Sequence, residues 1–420
     1  MTTILHLTWR SLLNRRAAAF LVVVSIALSV ALLLGIERLR QDVRGSFART
    51  ISGIDLVVGA RSSPIELLLY SVFRVGNPTN NLSWKSYQAI AKHPDVAWMV
   101  PVSLGDSHKG FRVMGTSADY FVHYRYGRWQ ALGFAAGKAF NDVFEAVVGA
   151  EIASTLGYKL GQKVVVTHGV SEVAIRQHDD KPFTVVGVLK PTGTPVDRTV
   201  HVSLEGIEAM HVDWRAGAPI PGFSIPADKV KKFDLTPKQI TAAFVGLKSR
   251  VAVFKMQRLI NEYRDEPLLA VLPGVTLQEM WRVLGLGEQA LLLVSCMVVL
   301  VGIAGMVAVV LAGLGARRRE LAILRALGAR PAQIFLLLAA ESMLLTLFGL
   351  MLGAALVVVA VAAAGPFIEA RFGIALTLAQ PSAIEWAMAA AVLAAGLLAS
   401  VIPGYNAYRR SLADGMMVRL

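Results

Sequence analysis

Four long stretches with almost no charge constrain this chain more than any other feature. Ala17–Ile36, Ala290–Ala316 and Trp386–Tyr408 contain no Asp, Glu, Lys or Arg, and Pro331–Ile368 contains only Glu341. At 1.5 Å rise per residue, about 20 residues cross a hydrocarbon core of roughly 30 Å. Each stretch is therefore predicted to be a transmembrane helix: 17–39, 284–316, 331–365 and 384–408, the first two lengthened as stalks. The layout is one span, a long gap, then three. Charged residues make up 17% of the chain, against about 25% in soluble domains. That deficit excludes a disordered or coiled-coil chain. The single cysteine, Cys296, excludes a disulfide scaffold.

The loops set the direction. Arg10, Arg15 and Arg16 precede the first span, within residues 1–16, read as an amphipathic N-terminus. Arg317, Arg318, Arg319, Arg325 and Arg330 lie between the second and third spans, and Arg409, Arg410 and Arg419 follow the fourth. The remaining short loop, 366–383, holds only Arg371. Eleven arginines against one place both termini in the cytoplasm. Arg38, Arg40, Arg44 and Arg49 run against this pattern, on the outer side of the first span beside Glu37 and Asp42. Long translocated domains often escape the rule, so the assignment stands. The cytoplasmic arginines, less Glu320 and Asp414, supply +9 of the net +13. The basic charge is thus mainly a topology signal, with no nucleic-acid footprint beyond it. No small-x-small cleavage site precedes Glu37, so the first span reads as an uncleaved anchor.

Residues 40–283 are enough for a core of their own. Val164–Thr167, Phe183–Leu189 and Thr199–Leu204 read as strands, being rich in Val and Thr between Gly, Pro or charge. Ser83–Lys92 and Lys255–Tyr263 read as helices by apolar spacing. Arg215–Asp228, with Pro219, Pro221, Gly222 and Pro226, reads as a junction. The expectation is an α+β domain in two lobes. Its apolar run Ile65–Val75 is read as a buried helix, the alternative being an exposed patch for a hydrophobic partner or lipid.

Catalytic chemistry is missing from the sequence. There is no phosphate loop; Gly246-Leu247-Lys248-Ser249 lacks the first glycine at the required spacing. No H-E-x-x-H, paired C-x-x-C or G-x-S-x-G motif occurs. His168, His178, His201 and His211 share one region but lack close metal-ligand spacing, so they read as packing and surface residues, not a metal site. An energy source for any work is expected on another chain.

The most specific stretch runs from Arg317 to Arg330. At 100° per residue, Leu321, Ile323, Leu324 and Leu327 share one apolar arc, with Arg318 and Arg325 outside it. Gly328 is placed to end this helix and Pro331 to open the next. Such a helix can lie on lipid headgroups or dock into a groove on a cytoplasmic protein; both use the same face.

Arg319-Glu320-Leu321-Ala322-Ile323-Leu324-Arg325-Ala326-Leu327-Gly328-Ala329 resembles the coupling segment of the MacB/FtsX/LolC-type ABC transporter permeases. Val113-Met114-Gly115-Thr116, Gly137-Lys138-Ala139-Phe140, Val147-Val148-Gly149-Ala150, Leu160-Gly161-Gln162-Lys163 and Phe183–Leu189 resemble outer-domain segments of that family, in its order. The chain departs from the family at its tail, where Arg410-Ser411-Leu412-Ala413-Asp414 lacks the usual Asp-Pro. It also lacks the ATPase domain that MacB-like members carry.

The resemblance implies a stand-alone, non-enzymatic permease subunit in the bacterial inner membrane with a periplasmic outer domain. It implies a cytoplasmic ABC ATPase dimer as partner, binding the ATP and Mg, with no cofactor on this chain. It further implies a second permease copy or paralogue, contact with lipid, and a periplasmic protein or lipoprotein as outer partner. Arg319, Glu320, Leu321, Leu324, Arg325, Leu327 and Gly328 would couple ATP hydrolysis to mechanical movement of the outer domain. That movement would drive export or extraction of a lipoprotein, lipid, peptide or small hydrophobic compound. The alternative is an FtsX-like scaffold that regulates a periplasmic partner without transport. A proton-driven transporter fits poorly with four spans, one intramembrane carboxylate and no repeat.

Three features of the spans remain. Glu341 falls about 15 Å into the third apolar segment if the helix starts at Pro331. An intramembrane carboxylate is a functional candidate by default; the alternatives are interior hydrogen bonding and a place near the inner headgroups. The resemblance favours a structural or coupling role. Gly349-x-x-x-Gly353 and the pair Ser25 and Ser29 offer small residues for close helix packing, within the bundle or at a dimer seam.

Overall fold

The computed structural model describes residues 8, 10, 12–13, 15–50, 52–168, 179–215, 218–219, 225–316, 323–372, 376, 378 and 380–409. The chain forms two compact units. One comprises Met1–Asp42, Gly285–Phe367 and Leu376–Leu420; the other comprises Val43–Leu284 and Ile368–Ala375.

Among the described residues, the first unit holds the apolar parts of four helices long enough to cross a membrane. They are Arg16–Thr50, Pro273–Ala316, Pro331–Phe372 and a fourth made of Ala383–Ala399 followed by Val401–Arg409. The core between them is read directly from helical periodicity. Val22, Ile26, Val30 and Leu33 face Val299, Ile303, Met306 and Val310, with Ile334, Leu338 and Leu345 from the third helix and Val392 from the fourth. Leu21, Leu28, Leu300, Val301 and Val359 are each at least 60% exposed, an apolar outer surface suited to lipid.

Helix lengths depart from the predicted limits. At 1.5 Å per residue, the first three helices are about 52, 66 and 63 Å long, well beyond a hydrocarbon core. The third continues through Pro366 to Phe372, where a loop over 366–383 was expected. Proline fits helical φ and forfeits only one backbone bond, which a helix of 42 residues tolerates here. Pro403 acts differently. It cannot donate to the carbonyl of Ala399, and the fourth helix breaks at Ser400.

The outer arginines that ran against the charge rule are partly accounted for in this unit. Glu37 is fully buried; its Oε1 lies 2.6 Å from Arg40 Nη2 and its Oε2 2.8 Å from Arg40 Nε. Arg40 also pairs with Glu288 of the second helix at 3.9 Å. A two-pronged carboxylate bond of this kind neutralises the guanidinium where it sits.

The second unit is α+β, as expected. Among the described residues its main sheet has eleven strands. Nine carry the path: β1 (Leu56–Ala60), β2 (Val96–His108), β3 (Phe111–Thr116), β4 (Phe134–Gly137), β5 (Glu145–Val148), β6 (Phe183–Leu189), β7 (Thr199–Ser203), β8 (Ala242–Leu247) and β9 (Leu268–Val271). Their order is β9-β1-β8-β2-β3-β7-β5-β6-β4. The β3–β7 and β5–β6 pairs are parallel and the others antiparallel. Val164–Thr167, predicted as one strand, is two short ones, Lys163–Val164 and Thr167–His168.

Separate cores lie along this one sheet. Val57, Val100, Val102 and Phe244 pack with Leu67, Leu68 and Tyr70 of helix α1 (Pro64–Ser71). Helices α2 (Trp84–Ala91), α3 (Asp119–His123), α4 (Ala150–Leu156), α5 (Leu204–His211) and α6 (Val253–Asn261) also belong to the domain. Ala146, Val148, Val185, Val200 and Val202 form the core around β5, β6 and β7 with Ile152 of α4. The apolar run 65–75 is thus mostly core, although Val75 is exposed. The expected junction Arg215–Asp228 contains a short hairpin, Trp214–Arg215 with Ala218–Pro219; its residues 216–217 and 220–224 lie outside the described residues.

Candidate functional site

Arg319, Glu320 and Leu321 lie outside the described residues of the loop between the second and third spans. The remainder of the proposed segment is ordered by its own backbone. Residues 323–326 are helical, and Gly328 follows at φ +94°. The amide of Gly328 donates to the carbonyl of Arg325 at 2.9 Å, and that of Ala329 to Leu324 at 3.0 Å. These two bonds and the left-handed glycine form a Schellman motif, satisfying carbonyls a helix end would otherwise leave open. Arg330 then starts the next helix, its amide donating to the Gln333 side chain at 2.9 Å.

The motif fixes what the loop presents. Ile323 is 52% and Leu327 80% exposed, and they stand four apart on one face. Leu324 and Arg325 are half-buried. A rigid turn with two bare aliphatic side chains is the kind of surface that docks into a groove. Ile323 was part of the apolar arc but not among the residues singled out; it is more exposed than Leu324.

Glu341 is buried, at 5% exposure. It lines a cavity of about 40 Å³ together with Arg15, Val310 and Leu345. The sequence offered no charged neighbour for it within the other spans. Arg15, just before the first span, supplies basic character beside it, and Arg15 Nη1 also donates to the carbonyl of Gly313 at 2.9 Å. The carboxylate therefore sits at the arginine-bearing end of the bundle.

The small residues pack inside the bundle. A Cβ on Gly349 would lie 2.5 Å from Ile26 Cγ2, and one on Gly353 would lie 2.7 Å from the carbonyl oxygen of Ala27. Both glycines thus seat the third helix against the first. Ser29 Oγ donates to the carbonyl of Ser25 at 2.8 Å and faces Gly302 of the second helix. Gly302 was not singled out, although it stands three residues before Gly305 in an apolar helix.

In the outer unit, His201 is fully buried with Nδ1 at 3.3 Å from the carbonyl of Val147, and His211 Nδ1 lies 2.8 Å from the carbonyl of Ile207. His178 and the His168 side chain lie outside the described residues. Among the described residues no three His, Cys, Asp or Glu side chains gather as metal ligands would. A polar cluster that the sequence did not suggest surrounds His201. Arg74 stands at φ +61° with Nε and Nη1 buried and lacking hydrogen-bond partners, as are Tyr120 Oη and His201 Nε2. Burial, then the charge of Arg74, holds the His201 pKa down to about 3, so its ring is neutral.

Two family models match the chain. A MacB-like periplasmic core domain matches residues 19–258, and an FtsX-like permease C-terminal domain matches residues 292–412. Among solved structures, the chain is similar to the periplasmic region of MacB from Actinobacillus actinomycetemcomitans, at 12% identity over 56% of this chain and 97% of that one, with a TM-score of 0.34. It is also similar to the extracellular domain of the noncanonic ABC-type transporter YknZ from Gram-positive bacteria, at 15% identity over 51% of this chain and 98% of that one, with a TM-score of 0.29. No curated protein sequence matches.

Proposed function

Because the chain belongs to the MacB/FtsX-type permeases of ABC transporters, we propose that it couples the cycle of a separate cytoplasmic ATPase to mechanical movement of its outer domain. The observation that supports this most is the rigid turn between the second and third spans, with Ile323 and Leu327 outward and Gly328 closing it. In this reading Ile323, Leu324 and Leu327 fill a groove on the ATPase, and Arg319, Glu320 and Arg325 set register by charge. Leu321 completes the apolar face. The ATP and Mg belong to that partner.

ATP binding closes the ATPase pair and hydrolysis lets it reopen. The turn follows this motion. Stiff helices of 35 and 44 residues carry it outward, since both exceed the length needed to cross a bilayer. Both termini face the cytoplasm, the outer domain faces the periplasm, and the permease works as a pair with a second copy or a paralogue. The cargo class is a lipoprotein, lipid, peptide or small hydrophobic compound handled on the outer side.

The test is ATP hydrolysis and cargo movement by the reconstituted complex carrying Leu324→Asp or Leu327→Asp. The ATPase should still bind ATP while cargo movement falls at least tenfold. Undiminished movement would remove the coupling role. Loss of control over an outer hydrolase, with no cargo moved by the native complex, would turn the reading to a signalling scaffold.

A further inference from the structure

The outer domain carries a groove of about 300 Å³ at the start of α5, beside α2 and α3. Trp84, Tyr87, Lys92, Asp119 and Glu205 line it. Three separate segments bring these residues together, so no sequence motif announces them. The volume lies at the lower end of the range for small-ligand sites, about 300–1,000 Å³.

Its aromatic wall is held in place. The Trp84 and Tyr87 rings stack with centroids 4.5 Å apart and planes 16° from parallel. Tyr87 Oη donates to the carbonyl of Met99 at 2.7 Å, so the phenol is already used and its ring cannot swing. The Trp84 amide donates to the carbonyl of Lys238 at 3.0 Å. Two exposed carboxylates, Asp119 and Glu205, complete the lining on the other elements. Neither they nor Lys92 makes an ion pair among the described residues. Asp119 accepts only a long bond from Ser117 Oγ, 3.4 Å. Burial and then the charge of Asp119 push the Tyr87 pKa up, so the negative field of that carboxylate reaches the aromatic wall.

Each carboxylate also sits in the first turn of a short helix, where it offsets the partial positive charge of the helix start. That accounts for a carboxylate at each place. It does not account for their convergence on a fixed pair of stacked rings in a concave space. An indole face with two carboxylates against one ammonium is complementary to a cation with an apolar body.

We propose that this groove binds a small organic cation, an alkyl- or arylalkylammonium whose apolar part lies on the Trp84–Tyr87 wall and whose charge meets Asp119 and Glu205. Lys92 repels the ligand charge and orients it toward the carboxylates. The proposal does not depend on the ATPase-coupling reading, and its test contains no ATPase.

The test is isothermal titration of the full chain, in discs of uncharged lipid, with phenethylammonium chloride and with neutral phenethyl alcohol at matched ionic strength. Saturable binding of the ammonium is expected, with the alcohol at least about tenfold weaker. Asp119→Asn combined with Glu205→Gln should weaken the ammonium by about tenfold or more and leave the alcohol unchanged. Lys92→Met should tighten the ammonium, which gives a second reading of opposite sign should the double variant fold poorly. Equal binding of ammonium and alcohol, absence of saturation, or ammonium affinity indifferent to both sets of variants would overturn the proposal.

Discussion

Arg38 of the first span and Glu385 at the start of the fourth meet at 3.4 Å, each side chain about 10% exposed. Glu385 holds two roles. Its Oε2 also accepts the amide of Ser382 at 2.6 Å, closing a capping box whose other half is Ser382 Oγ accepting from the Glu385 amide. Gln41, one turn along the first helix, donates to Ser382 Oγ at 2.9 Å. A helix start, a buried charge and a neighbouring span are thus fixed by the same few atoms.

Glu385→Ala should accordingly cost about 2–4 kcal/mol, since it removes a cap and one carboxylate partner of the buried Arg38 guanidinium, which keeps Asp42 at 3.8 Å. Glu385→Gln keeps an acceptor for the cap and should cost about half as much. A double-mutant cycle with Arg38→Met, read from unfolding in detergent, should give a coupling of about 1–3 kcal/mol. A coupling near zero would mean that the pair contributes nothing beyond the cap.

Glycines of the second and third helices should respond according to what a methyl would meet. Gly353→Ala would press on the Ala27 carbonyl, which cannot rotate away, and should destabilise by about 1–3 kcal/mol. Gly305→Ala meets nothing within 4 Å and should be neutral or slightly stabilising, as alanine favours helix. Thermal unfolding of the two variants separates these outcomes. A larger effect on dimer content than on unfolding for Gly353→Ala would assign that face to a subunit seam.

How far the fold could be read ahead depended on the period of each element. Phe183–Leu189 alternates buried and half-buried residues and was legible as a strand. Val96–His108 was not. It contains Pro101 and Gly105, which read as breakers, yet Pro101 sits in register with Ala243 and the strand bulges between Leu104 and Ser107. The four spans were legible because lipid demands long uncharged runs. Stalk extensions were expected on the first two spans; the run of the third helix through Pro366 was not, and hydropathy could not set the extent of the stalks because it counts stabilising charge pairs such as Glu37–Arg40 as polar. The glycine stop of the loop between the second and third spans was legible, with Gly328 at φ +94°; that Ile323 is exposed while Leu324 is half-buried was not, because periodicity places both on one arc.

Acid should loosen the sheet around His201. Unfolded, this imidazole titrates near 6.5; in the fold its pKa is about 3, lowered first by burial and then by Arg74. Above pH 6.5 both states are neutral and the stability is fully present. Between pH 6.5 and 3 the unfolded state takes up a proton that the folded state refuses, so stability falls by up to about 1.4 kcal/mol per pH unit. Hydrogen exchange of the Thr199–Ser203 amides in the full chain, corrected for intrinsic rates, should report this slope. His201→Gln should flatten it by about one proton.

Arg74→Met should raise the His201 pKa, so that the loss of stability levels off nearer pH 6.5. It also replaces a guanidinium with two unpartnered nitrogens by an apolar side chain next to Met114. At neutral pH its stability should therefore match or exceed that of the native chain. A loss of more than about 2 kcal/mol would show that the guanidinium is satisfied by water or an ion.

The turn between the second and third spans gives the most direct test of the proposed function. A photoreactive benzophenone side chain placed at position 327, where Leu327 is 80% exposed, reports what covers that face in living cells. The account requires a cross-link to a cytoplasmic ABC ATPase, abolished when Ile323 is changed to Asp in the same chain. Cross-links to lipid alone, unaffected by Ile323→Asp, would contradict it and leave the turn as a membrane-surface anchor.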